Sequence, residues 1–104
     1  MQNFNLIISN TAAKDLSEIF FYLKNELSYP GSAKLLLKKI RKETSKLKKL
    51  PFLFPLVKDE ILAARKIRKI SIDNILIFYI INESNKTVSV IRILHARRDW
   101  IKFL

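Results

Sequence analysis

The chain has 104 residues, 49% of them hydrophobic, with one glycine and no cysteine. That is enough apolar material for a single packed domain, 1–104, and it excludes a disulfide framework or a thiolate metal site. Twenty basic residues against nine acidic ones leave a net charge of +11, which points to a polyanion or an acidic protein as partner, or to a surface solvated by lysine. A lone histidine cannot form a histidine cluster, so no metal or other cofactor is expected. No apolar run is long enough to span a bilayer, and Met1-Gln2-Asn3-Phe4 lacks the basic-then-apolar order of a secretory signal, so a cytoplasmic protein with no membrane partner is expected.

Residues 4–9, FNLIIS, read as a first strand, and Ser9 or Asn10 can cap a helix after it. Ala12, Leu16, Ile19, Phe20 and Leu23 fall at helical spacing and predict a helix over about 11–27, with Lys14, Asp15, Glu18 and Lys24 mostly off its buried stripe. The only glycine and a proline in Ser28-Tyr29-Pro30-Gly31-Ser32 predict a helix-helix connection. A second helix is expected over about 32–50, where Ala33, Leu36, Leu37, Ile40 and Leu47 make the stripe and Thr44 lies within it. Eight of its other positions are lysine or arginine, and only Glu43 opposes them. That face can meet phosphates at long range or can simply be solvated. Two helices with a short link favour an antiparallel hairpin.

Residues 50–57, LPFLFPLV, hold two prolines four apart, which excludes a regular helix or a central strand. Residues 58–62 add a helical turn or continue that loop. Three strands are predicted at 67–72, 75–81 and 87–94, rich in β-branched and aromatic residues, with Asn82-Glu83-Ser84-Asn85-Lys86 as the turn of the last hairpin. The run Leu76-Ile77-Phe78-Tyr79-Ile80 suggests a strand covered on both faces. Arg92 inside the last strand lies either at an exposed edge or in a working surface. The order is β-α-α-β-β-β: an α+β domain with a helical hairpin packed on a small, mainly antiparallel sheet.

The opening Ile8-Ser9-Asn10-Thr11-Ala12-Ala13-Lys14-Asp15-Leu16, the Arg68-Lys69-Ile70 and Phe78-Tyr79 strands, and above all Ile91-Arg92-Ile93-Leu94-His95-Ala96-Arg97-Arg98-Asp99-Trp100 carry a resemblance. In order and spacing, over nearly the whole chain, they resemble the RelE/ParE toxin superfamily of type II toxin-antitoxin modules. The resemblance implies a growth-inhibiting toxin of plasmid-stabilization type, held in a hetero-oligomer by an acidic antitoxin that wraps it with an extended, often helical segment. It also implies one of two targets. RelE-like members cleave mRNA in the decoding site of the ribosome, and ParE-like members inhibit DNA gyrase without intrinsic catalysis.

Metal-free RNA cleavage needs proton transfer and stabilisation of phosphorane charge. On that reading, a metal-independent endoribonuclease, the catalytic candidates are His95, Arg97, Arg98 and Tyr79, with Arg65, Lys66, Arg68, Lys69 and Arg92 as groups that bind nucleic acid or the target. His95→Ala or Arg97→Ala is then expected to relieve toxicity. The bland alternatives are a histidine that caps a strand end, an arginine pair that opens a surface turn with Asp99 beside it, and a tryptophan that packs inward. RelE-like nucleases often carry an arginine where this chain has Ile75-Leu76-Ile77, and a tyrosine near the C-terminus where Trp100 and Phe103 stand. Those departures agree with gyrase inhibition, while a non-toxin RNA-binding domain would fit the charge alone. The balance of the sequence leans to mRNA cleavage, on the His95-Arg97-Arg98 cluster.

Overall fold

The computed structural model describes residues 3–26 and 30–104. Strand β1 (Asn5–Ile8) leads into helix α1 (Asn10–Phe21), which continues as a π-helical turn at Tyr22–Glu26. Helix α2 (Pro30–Ser45) ends in a 3-10 turn at Lys46–Lys48. A short helix α3 (Glu60–Ala64) precedes β2 (Arg68–Ile72), β3 (Ile75–Asn82) and β4 (Thr87–His95), and a 3-10 turn at Trp100–Phe103 closes the chain. The expected order and the helical hairpin are both present. Residues 27–29, the end of the expected first helix and the start of the expected connection, lie outside the described residues. Pro30, Gly31 and Ser32 belong instead to the first turn of α2, where a proline lacks only an N–H that the helix does not use.

The four strands form one sheet in the order β1-β4-β3-β2. The pairs β2–β3 and β3–β4 are antiparallel, whereas β1 lies parallel to β4. β1 and β4 are separated in the chain by the helical hairpin, the link, α3 and two strands, a connection long enough for parallel pairing. Ser9 marks the departure: its Oγ accepts the Ala12 N–H at 3.0 Å as the cap of α1 and donates to the Ile91 carbonyl at 3.2 Å.

The sheet has a core on each face. On the helix side, Ala12, Leu36 and Ile40 pack on Ile70, Ile77, Tyr79, Val88, Val90 and Ile93. On the other side, Val57 at the end of the proline-rich link, Leu62 of α3 and the C-terminal turn cover Ile67, Leu76, Phe78 and Leu94, while Phe54 of the same link packs on the helix side. Asp59 caps α3 by accepting the Leu62 N–H at 3.0 Å, so residues 58–62 do become a helical turn, displaced toward Ala64.

A β-bulge between Phe78 and Tyr79 makes Phe78 face Arg92 and Tyr79 face Val90, with Ile91 as the extra residue of β4. The bulge resets the alternation of β4. Val88 and Val90 face the helices, and Ile93 again faces them three residues later.

Candidate functional site

Arg92 is the first candidate whose place the fold fixes. β1 pairs with β4 only as far as Val90, which leaves the next stretch of the β4 edge without a strand neighbour. Asp15 of α1 fills that gap. Its carboxylate accepts the Ile93 N–H at 3.0 Å and takes both Nε and Nη2 of Arg92 at 2.8 Å. Asp15 is buried, with 7% of its surface exposed. The bidentate bond from Asp15 holds the Arg92 guanidinium above its already high ordinary value, so it stays charged. Arg92 is therefore neither at an open edge nor part of a free working surface, and Asp15 is not off the buried stripe. Together they clasp α1 to the sheet.

Tyr79 also departs from its expected role. Its ring is fully buried, and its hydroxyl donates to the Pro51 carbonyl at 3.0 Å. Burial pushes the phenol above its usual 10.0. A phenol so placed has no path to a substrate, and Tyr79 leaves the candidate set as a core residue with a tethering hydrogen bond.

The remaining candidates divide between the two faces. His95 pairs with Ile75 at the end of β4, on the helix side. Its Nδ1 accepts the Arg97 N–H at 3.2 Å, which puts the proton of the neutral ring on Nε2. His95, Arg97 and Arg98 line one wall of a cleft of about 730 Å³. The same cleft is lined by carboxylates: Asp15 and Glu18 of α1, and Asp73 of the β2–β3 turn. Asp73 takes φ 53, a left-handed turn conformation that aspartate tolerates, and pairs with Lys39 of α2 at 3.3 Å. Ile19, Leu23, Leu36 and Ile93 form the apolar floor.

Lys69 lies on the opposite face, beside Phe78, and its Nζ is 5.4 Å from the centre of the Trp100 ring. Arg92 and Arg98 both stack on Phe103, at 5.3 and 4.2 Å, and Arg65 donates to the Leu104 carbonyl at 2.6 Å. Those cations hold the C-terminal turn against the sheet. Lys66, exposed and at φ 63, ends α3 with its N–H on the Ala63 carbonyl. Arg68 pairs across from Tyr79, four residues along β3 from the His95 row, or about 13 Å at the usual strand rise. Its guanidinium lies 5.0 Å over Phe52 and donates to the Phe54 carbonyl at 2.7 Å.

His95, Arg97 and Arg98 thus converge, and the other predicted cations do not join them. The carboxylates of the cleft escaped the sequence reading because they come from α1 and a turn far away in the chain. The only signal for Asp15 was a charge next to the apolar stripe of α1. No group of three histidine, cysteine, aspartate or glutamate side chains among the described residues could hold a metal ion. No helix among them is long and apolar enough to cross a membrane.

Comparison with known proteins agrees with this architecture. The family described as the ParE toxin of the type II toxin-antitoxin system parDE matches residues 6–100. Among solved structures, the chain is similar to one in the RelBE2 toxin-antitoxin complex of Mycobacterium tuberculosis, at 16% identity and a TM-score of 0.61, over 89% of this chain and 98% of that one. It is also similar to one in the chromosomal ParDE toxin-antitoxin system from P. aeruginosa, at 15% identity and a TM-score of 0.68, over 90% of this chain and 97% of that one. At such identities the two structures speak to the fold. No curated protein sequence matches the chain.

Proposed function

The chain belongs to the ParE toxin family of type II toxin-antitoxin systems, and we propose that it arrests growth by binding a protein target, DNA gyrase, without chemistry of its own. An acidic antitoxin partner neutralises it, in keeping with its +11 charge. One observation carries this reading: the groups that RNA cleavage would require are dispersed. His95 shares its cleft with Asp15, Glu18 and Asp73, of which Asp15 is paired with Arg92 and Asp73 with Lys39. Tyr79 is sealed in the core, Arg92 is committed to Asp15, and Lys69 is on the far side of the sheet. A dispersed set cannot supply the paired proton transfers and charge stabilisation of the cleavage step. A binding surface requires no such convergence.

The second reading, ribosome-dependent mRNA cleavage, is favoured by the meeting of His95, Arg97 and Arg98 at one cleft wall. The two readings separate in one pair of assays. The purified protein is added to a gyrase supercoiling reaction and, separately, to reconstituted translation with mapping of mRNA 5′ ends. The expected result is inhibited supercoiling and intact message, with His95→Ala as potent as the unaltered protein. New 5′ ends that need ribosomes and vanish in His95→Ala would overturn the proposal and restore the nuclease.

A further inference from the structure

The cations of α2 are not spread evenly around it. Lys34, Lys38, Arg41 and Lys42 are all exposed, and their spacing places them within about 100° of one another around the helix axis. Ala33, Leu36, Ile40 and Thr44 are buried and hold the opposite side, with Leu36 and Ile40 packed on the sheet. Four cations therefore stand in a row about 12 Å long on the side of α2 turned away from the core. None of the four has an ion-pair partner among the described residues. The lysines beside the row do have one: Lys39 meets Asp73 at 3.3 Å, and Lys46, in the turn beyond α2, meets Glu43 at 3.0 Å. Like charges three and four positions apart, as in Lys34–Lys38, Lys38–Arg41 and Lys38–Lys42, destabilise a helix. A face kept only for solubility is served by interspersed charges of both signs, whereas a row of one sign fits a polyanion.

We propose that this row is a track for the phosphodiester backbone of duplex DNA, with Lys34, Lys38, Arg41 and Lys42 as the contacting groups. The contact is with phosphates and carries no base sequence. Lysines on a rigid helix present point charges at fixed intervals, which suits a regular array of phosphates. α2 has no aromatic residue, the platform on which single-stranded nucleic acid stacks. Its apolar side is already covered by the sheet, so the helix has none left to sink into a bilayer. The row is separate from the His95 cleft, which none of the four residues lines. Lys48 and Lys49 line another cleft, with residues 3–6, and are not part of it. The choice of DNA rests on the gyrase reading: a chain seated on gyrase lies beside the duplex that gyrase handles, and the row gives it a second hold on that complex.

The test uses the full chain and a fluorescent DNA duplex of arbitrary sequence, about 20 base pairs long, followed by anisotropy without gyrase. The row variant is Lys34→Gln/Lys38→Gln/Lys42→Gln. A control variant, Lys14→Gln/Lys58→Gln/Lys102→Gln, removes the same charge from exposed sites elsewhere. Glutamine and lysine have similar helix propensity, so both variants should match the unaltered chain in circular dichroism and thermal melts. The expected result is DNA binding that falls with salt and is at least tenfold weaker in the row variant, against less than threefold in the control. The slope of log affinity against log salt should drop by about 2 to 3 in the row variant. In the supercoiling reaction the row variant should need several-fold more protein for the same inhibition, while its binding to gyrase free of DNA is unchanged. Unchanged DNA affinity in the row variant, or an equal loss in the control, would overturn the inference. So would tighter row-dependent binding to poly-glutamate, to an RNA duplex of the same sequence or to vesicles of anionic phospholipid than to DNA. A chain that binds DNA through the row yet leaves supercoiling untouched supports the track and overturns the gyrase reading, so the two failures are told apart.

Discussion

The two faces of the sheet are covered in different ways. On the helix side, long amphipathic helices lay apolar stripes on Ile77, Val88 and Val90, which are completely buried. The other face is roofed by a five-residue helix, Val57 just ahead of it and a C-terminal turn. Cations on aromatic rings and carbonyls hold that turn: Lys69 on Trp100, Arg92 and Arg98 on Phe103, Arg65 on the Leu104 carbonyl. The difference shows that a basic residue near the end of a toxin-like chain can have an intramolecular partner. Arginine and lysine that look poised for phosphate can be engaged in holding the chain's own terminus.

The comparison breaks most sharply at the clasp that joins the helices to the sheet. Asp15→Ala strips Arg92 and the Ile93 N–H of their shared acceptor in a partly buried site, and a loss of about 3–5 kcal/mol is expected in chemical denaturation. On the other face, Trp100→Ala removes a ring that packs 5.2 Å from Phe78, with an expected loss of about 2 kcal/mol. A loss at Trp100 as large as that at Asp15 would mean that the two covers are equally built in. The smallest effect concerns Tyr79. Its folded-state phenol sits above the usual 10.0 because it is buried. Below about pH 10 both folded and unfolded chains keep this proton and stability is unaffected. As the pH rises past that value the unfolded chain ionises first, so stability falls until the folded phenol also ionises. Tyr79→Phe should cost about 1 kcal/mol at neutral pH by orphaning the Pro51 carbonyl. It should also lack this alkaline component when denaturation is repeated between about pH 9 and pH 11.

The elements themselves were legible, because stripes such as Leu16-Ile19-Leu23 and β-branched runs such as Ile70-Ser71-Ile72 report directly on local periodicity. The hairpin turn after Asn82 and the cap at Ser9 followed from the chemistry of their residues. Arg92 was read as open because the alternation of β4 is broken by a bulge, and a bulge is written in the pairing of two strands and not in either one alone. Asp15 was misplaced for a related reason: its partners lie 77 and 78 residues away. The division of the basic residues between two faces was equally hidden, since adjacent residues in a strand such as Arg68 and Lys69 point to opposite sides. Within the apolar link, Pro51 and Val57 are buried, whereas Phe52 and Leu53 are half-exposed. Nothing local marks the difference, because the hydroxyl that holds the Pro51 carbonyl comes from β3.

The single tryptophan makes the C-terminal turn visible to light. Trp100 is half-buried against Phe78 with a lysine over its ring, and it is the chain's only indole. Any ligand that lifts residues 100–104 from the sheet moves this indole into water. Its emission then shifts to the red, so a cuvette fluorimeter can follow the roof of that face in the unlabelled protein.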